Sequence, residues 1–308
     1  MLRNEDVIRI SKEHNFDLVG FAKAELLGKE FEHYLAWLEH GYQAGMKYME
    51  ENKEKREDIK KVLEGAKSVI SLGINYYTQQ FYSGVKTNGK ISKYATGKDY
   101  HLVIWEKLFL LIQKLKDIDP SFEAISYVDT GPMMDKVWSM RSGIGWQGKH
   151  SNIINKEYGS WFFIANIITN KEFDYSEQIE DFCGTCTACI DACPTRAITE
   201  PYVVDSNKCI SYHTIENKGE IPKELAGKFD NWIFGCDICQ DVCPWNIKFS
   251  QTTLLAEFND RNNNKELELD RVMQLTEEEF KSLYSKSPIK RVKLKGLKRN
   301  AKFLNESI

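Results

Sequence analysis

No apolar run in this chain approaches the roughly 18 residues that a membrane-crossing helix requires, so a helical span is excluded. Nor is there a surplus of one charge. Against 45 acidic side chains stand 42 basic ones, a formal −3 that by itself predicts no partner. The opening Met1-Leu2-Arg3-Asn4-Glu5-Asp6 is polar and acidic within a few residues, unlike a secretory or twin-arginine leader. A cytoplasmic protein with reduced thiols and no membrane partner is the expectation. In that compartment eight cysteines point to metal rather than to disulfides. No G-x-G-x-x-G follows a strand, opens a helix and has an acid downstream, so a Rossmann nucleotide site has little support. The run Gly143-Ile-Gly145-Trp146-Gln-Gly148-Lys149 matches the bare glycine spacing. It lacks the Walker spacing and a Ser or Thr after the lysine. Its glycines are expected to let backbone approach a flat ligand or another strand. There is no internal repeat beyond a duplicated cysteine pattern.

With 308 residues and 42% hydrophobic content, the chain can build one large domain or two modest ones. Helix and strand patterns alternate through its first half. Asn4 is a plausible cap for an opening helix running to about His14. Residues 16–22, 68–76, 122–128 and 161–168 read as strands. Phe31, Tyr34, Leu35 and Leu38 fall on one helical face. The clearest helix is 99–117, with Ile104, Leu108, Leu111, Ile112 and Leu115 at helical spacing. The expected class is mixed α/β (α+β), a sandwich whose sheet direction the pattern leaves open. Composition changes near Lys171, which suggests a first domain over 1–172 and a small metal-held module over 173–250. A C-terminal segment follows over 251–308, loop-like to about Glu266, with a short helix at 275–284 and a basic run from Lys286 to Lys302.

The cysteines carry the strongest signal. Cys183-Gly-Thr-Cys186-Thr-Ala-Cys189-Ile-Asp-Ala-Cys193-Pro194 is the C-x2-C-x2-C-x3-C-P run of bacterial two-cluster ferredoxins. Three thiolates at two-residue intervals let one loop wrap three corners of a cubane, while the fourth points to the other cluster. Cys236-Asp-Ile-Cys239-Gln-Asp-Val-Cys243-Pro244 repeats the theme without its first cysteine, which Cys209 must supply. By ferredoxin logic one 4Fe–4S cluster takes Cys183, Cys186, Cys189 and Cys243, and the other takes Cys193, Cys209, Cys236 and Cys239. Paired zinc sites fit this spacing poorly. A bare electron carrier would leave more than half the chain without a use, so an enzyme with a built-in relay is the better reading.

Around the cysteines, further motifs occur together: Tyr94-Ala-Thr-Gly-Lys-Asp-Tyr-His101, Val128-Asp-Thr-Gly-Pro132, Gly143-Ile-Gly-Trp-Gln-Gly-Lys149, Cys209-Ile-Ser-Tyr212 and the terminal Ile289-Lys-Arg…Lys295-Gly-Leu-Lys-Arg-Asn-Ala301. In this combination and order the chain resembles the epoxyqueuosine reductases over nearly its whole length. The resemblance implies a nitroreductase-like, cobalamin-binding sandwich followed by the ferredoxin-like module. It implies reduction of epoxyqueuosine to queuosine at the wobble position of tRNA with a GUN anticodon, electrons passing through the clusters to the cobalt. An unidentified low-potential electron donor and a monomeric state complete the expectation. Many members carry an added C-terminal helical-repeat domain, and this sequence stops before one.

Asp129 matches the family's proton-donor aspartate. Sequence alone leaves two roles for it, a catalytic acid whose pKa burial must raise, or a cap for a helix near Pro132. The resemblance favours the acid. Tyr94, Ala95, Ile153 and Ser211 lie in family-like segments and are assigned with Asp129 to the corrinoid pocket, Ser211 where the relay meets the cobalt. In the basic run Lys290, Arg291, Lys293, Lys295, Lys298 and Arg299 are candidates for tRNA phosphates, against a solvated tail as the bland alternative. Trp146 or Trp232 is a candidate to stack on the splayed base. The competing functions are a corrinoid-dependent reductase of a small molecule, of the reductive dehalogenase kind, a non-catalytic electron carrier, and RNA binding without chemistry.

Overall fold

The computed structural model describes residues 2–306, so residues 1, 307 and 308 of the two terminal segments lie outside the described residues. Four strands make the principal sheet: β1 (Leu18–Lys23), β2 (Ser68–Asn75), β3 (Ala124–Tyr127) and β4 (Phe162–Thr169). Their order is β1-β2-β4-β3 and every neighbouring pair is antiparallel, which settles the direction the pattern left open. Strand β2 is buried along its whole length because the sheet is covered on both faces. Its alternate side chains divide accordingly. Ile70, Leu72 and Ile74 join Phe163, Ala165 and Ile167 beneath the helices α1 (Asn4–Glu13) and α3 (Tyr100–Ile118). Val69 and Ile168 face the other way, toward α2 (Lys29–Glu39) and α4 (Asp135–Arg141), where they meet Phe31, Tyr34 and Trp138.

The helix α3 follows from its sequence. Ile104, Leu108, Leu111 and Leu115 form one buried stripe, each contributing about 1.5–3 kcal/mol. The Asp99 carboxylate caps the helix by accepting from the His101 amide at 3.1 Å. Two local expectations need correction. Asn4 is the first helical residue rather than the cap, and its side chain instead holds the backbone of Asp174 at 2.8 and 3.1 Å. On α2 only Phe31 and Tyr34 are buried, whereas Leu35 is 40% exposed.

A second core lies under the cluster module. Here the strand Asn88–Ile91 pairs in parallel with Trp232–Phe234 and antiparallel with Glu266–Glu268. Ile91 and Ala95 pack with Ile233, Leu269, Phe280 and Leu297. The segment 88–95 therefore belongs by packing with the C-terminal half, and a linear boundary at 172 does not describe this core. The expected helix at 275–284 is α5 (Glu277–Tyr284), started by a capping box of Thr276 and Glu279, and a separate helix, Leu269–Gln274, precedes it. The basic run is no loose tail. Its last part is α6 (Lys293–Asn305), which drives Leu294, Leu297, Ala301 and Leu304 into the second core. No described helix is long and apolar enough to cross a membrane.

Candidate functional site

All eight cysteines are free thiols. They interact in two sets. Cys189 lies in the field of Cys183, Cys243 and Cys186, which adds to burial in pushing its thiol up to about 11. Cys243 in turn feels Cys186. In the other set, burial and then the neighbours Cys209, Cys189 and Cys193 push the Cys239 thiol up, and Cys236 is raised by burial, Cys239 and Cys209. Cys209 is raised by burial and by Cys193. The two sets adjoin, since Cys239 of one feels Cys189 of the other. Among the described residues no three His, Cys, Asp or Glu side chains close around one ion. Buried thiols whose pKa is raised give up their protons to a strongly bound metal. The first set reaches the surface, where Gly184, Thr185, Cys186 and Thr187 are exposed. The second set lies deeper.

Beyond the second set is a hollow. Tyr94, Asp135, Lys136, Cys209, Cys236 and Cys239 are each ringed by protein, yet each still touches solvent. That combination describes the wall of a concavity. Lys136 spans it electrostatically, since it feels Asp129 and Asp135 on one side and Cys239 and Cys209 on the other. Burial pulls its ammonium down, and these anionic neighbours only partly offset that. Burial first, and Asp129 second, push the Asp135 carboxyl up to about 7. The same two causes raise the Tyr94 phenol.

Asp129 sits at the hollow's edge with φ 57° and is exposed. It caps nothing, because α4 begins only at Asp135, after Met134. Its carboxylate accepts a 2.8 Å hydrogen bond from the Tyr100 hydroxyl. The first turn of α3 fixes that tyrosine, and its ring stacks on Phe163 at 4.3 Å. The burial that a proton donor needs is therefore not supplied by the polypeptide alone. The wall of this hollow offers phenols, a lysine and carboxyls, with the second cysteine set at its far side.

The other sequence candidates separate. Ser211 is half-buried and its backbone N–H, with that of Tyr212, supports the Cys209 sulfur. Tyr94 faces Asp129. Ala95 is fully buried and Ile153 packs on Ile144 and Phe162, so either meets a ligand in the hollow only through backbone. Trp146 and Trp232 are 1% and 2% exposed, which rules both out as platforms for a base. In the basic run, Lys290 lies 2.6 Å from Asp99 and Arg291 pairs with Glu216. Arg299 donates to the carbonyls of Asn217, Gly219 and His213, a structural clamp rather than a phosphate contact. Lys293 and Lys295 are exposed and Lys298 is half-exposed. Tyr100, Asp135 and Lys136 escaped sequence reasoning. The only signal was an Asp-Lys pair shortly after the Asp-Thr-Gly-Pro turn.

Comparison with known proteins decides the family. A 4Fe-4S double cluster binding domain matches residues 182–246, and the family described as Epoxyqueuosine reductase QueG, DUF1730, matches residues 56–130. The epoxyqueuosine reductase of Leadbetterella byssophila is 48% identical over 96% of this chain and 95% of its own. The chain belongs to the epoxyqueuosine reductase family. Among solved structures of the family, an epoxyqueuosine reductase with an epoxyqueuosine-modified tRNA-Tyr stem loop superimposes with a TM-score of 0.91 at 33% identity, covering 97% of this chain and 80% of that one. The Bacillus subtilis reductase, with its catalytic aspartate loop swung out of the active site, matches with a TM-score of 0.91 at 32% identity over 97% and 80% of the two chains.

Proposed function

We propose that this chain reduces epoxyqueuosine to queuosine at the wobble position of tRNA, with two 4Fe–4S clusters and cobalamin as its cofactors. The carrying observation is that Asp129 and the second cysteine set face one hollow, bridged by the field of Lys136. Removing an epoxide oxygen as water takes two electrons and two protons, and the two sides of this hollow suit those two supplies. Cobalamin, when bound there, supplies the low-potential cobalt chemistry that breaks the carbon–oxygen bond.

The chain's own residues do the rest. Tyr94, Ser211 and the backbone at Ala95 and Ile153 hold the macrocycle. Asp129 gives a proton to the departing oxygen, and the Tyr100 hydroxyl fixes the carboxyl in place at 2.8 Å. Asp135, with its carboxyl pushed up to about 7, keeps a second proton within reach near neutral pH. One cluster is held by Cys183, Cys186, Cys189 and Cys243, the other by Cys193, Cys209, Cys236 and Cys239. The unpaired anticodon loop lets the modified base leave its stack at little cost, and Lys293, Lys295 and Lys298 hold phosphates. The family relative with a tRNA-Tyr stem loop supports the RNA substrate, here one with a GUN anticodon. The antiparallel sheet with helices on both faces supports a nitroreductase-like sandwich. We place the reaction in the cytoplasm of a monomeric enzyme served by a low-potential donor.

The test is anaerobic turnover of cluster-loaded protein with cobalamin, reductant and epoxyqueuosine-bearing tRNA, followed by nucleoside mass spectrometry. Loss of one oxygen only when cobalamin is present is the expected result. Survival of epoxyqueuosine while clusters and cobalamin both reduce would overturn the substrate assignment.

A further inference from the structure

The run 143–149 ends against the first cysteine set. Trp146 is 1% exposed, with its ring edge-on to Phe182 at 5.3 Å and to Trp245 at 4.9 Å. Its indole N–H is buried without a conventional acceptor. A donor left so costs roughly 1–3 kcal/mol unless something accepts from it. The group it faces is the Cys183 sulfur, and the Lys149 backbone N–H faces that sulfur as well. A protonated thiol accepts weakly, whereas a thiolate on iron accepts well.

Lys149 adds a third element. Its side chain is 8% exposed, and Nζ donates to the carbonyls of Gly184 at 2.6 Å and Cys186 at 2.9 Å. The ammonium thus holds the loop between two ligands of the same set. Gly145 explains how the run reaches this place, since a Cβ there would stand 2.4 Å from the Ile154 carbonyl. Apolar neighbours Ile154, Ile179 and Trp245 pack around the indole.

We propose that Trp146 and Lys149 set the reduction potential of the cluster held by Cys183, Cys186, Cys189 and Cys243. Reducing a cluster adds negative charge to its sulfurs. N–H groups aimed at a ligand sulfur and a fixed ammonium beside the loop stabilise that charge and raise the potential. The outer cluster then accepts electrons from a milder donor than its bare ligand set would allow. Both are positioning residues, neither touching substrate. The inference rests on the ligand partition proposed above, which iron content and two cluster signals test separately.

The experiment is a redox titration of the reconstituted holoprotein followed by electron paramagnetic resonance. Trp146→Phe keeps the ring and removes the donor. It is expected to shift one cluster signal to more negative potential, by a factor of about ten in the reduction equilibrium or roughly 59 mV for one electron. The other signal should stay in place. Lys149→Met should shift the same signal the same way, and Lys149→Arg should restore it. Full iron content with unmoved potentials in Trp146→Phe and Lys149→Met would overturn the proposal, as would equal movement of both signals. Should Trp146→Phe fail to hold iron, the wild-type protein decides. With ¹⁵N-indole tryptophan, hyperfine coupling to the reduced cluster supports the N–H···S bond, and its absence sinks it.

Discussion

Asp129 and Asp135 stand six positions apart and have opposite surroundings. Asp129 is exposed and held by Tyr100. Asp129→Asn should leave iron content and cobalamin uptake intact while lowering turnover on epoxyqueuosine tRNA by 10²-fold or more, the scale of a lost general acid. Turnover within twofold of wild type would remove Asp129 from that role. Asp135 makes a stability prediction. Its carboxyl titrates near 7 in the folded protein because of burial and then Asp129, against about 3.9 in an unfolded chain. Between these values the folded state binds more protons, so this group's contribution to stability falls as pH rises from about 4 and is gone above about 7, a change on the order of a few kcal/mol. Asp135→Asn can still accept the 2.9 Å bond from Asn166. The variant should melt higher than wild type at pH 8, with the gain vanishing toward pH 5. A pH-independent difference would contradict the linkage.

At the scale of elements, a buried charge clamp fastens the cluster module to the first core. Lys93 lies 2.6 Å from Asp241 and 3.5 Å from Asp237, and its ammonium sits 4.7 Å above the Trp161 ring. Burial opposes its charge, but the two carboxylates outweigh burial and its pKa is raised. Asp237 also accepts from the Lys93 amide at 2.8 Å and from Ser92. Since Asp237 stands between Cys236 and Cys239, this clamp locates the second cluster. Lys93→Ala strands the buried Asp237 carboxylate beside the more exposed Asp241 and should cost about 3–5 kcal/mol, read as a lower urea midpoint of the cluster-loaded protein. Lys93→Met should cost less if its methylenes matter more than its charge. A loss below 1 kcal/mol in the alanine variant would show the clamp to be idle.

Across the whole molecule the small net charge conceals two opposed regions. Residues 172–195, which carry the surface edge of the first cysteine set, contain six acids and no base. The segment 286–302 is basic, yet Lys290, Arg291 and Arg299 are engaged with Asp99, Glu216 and backbone carbonyls. Replacing Lys295 and Lys298 together by alanine should therefore reduce the salt dependence of tRNA stem-loop binding by about two phosphate contacts, a slope change near 1.8. Arg299→Ala should instead lower the melting temperature and leave the slope close to wild type. The reverse pattern, measured by titrating binding at several salt concentrations, would move the phosphate track from Lys295 and Lys298 to Arg299.

The sequence by itself determined what depends on neighbours along the chain. Cysteine spacing within 183–193 and 236–243 dictates cubane loops because a few bonds fix where each thiolate can reach. The amphipathic stripe of α3 dictates its helix and its buried face. The same kind of stripe in α6, Leu294, Leu297, Ala301 and Leu304, was present in the sequence but masked by the lysines between. Only the tertiary structure decided what depends on distant segments. The charged neighbours of Lys136 include chain more than 70 residues downstream, at Cys209 and Cys239. The parallel pairing of Asn88–Ile91 with Trp232–Phe234 fuses two stretches that composition had separated. Trp146 was buried beside the first cysteine set rather than left as a platform for a base for the same reason: a side chain's chemistry is set by what the fold brings against it.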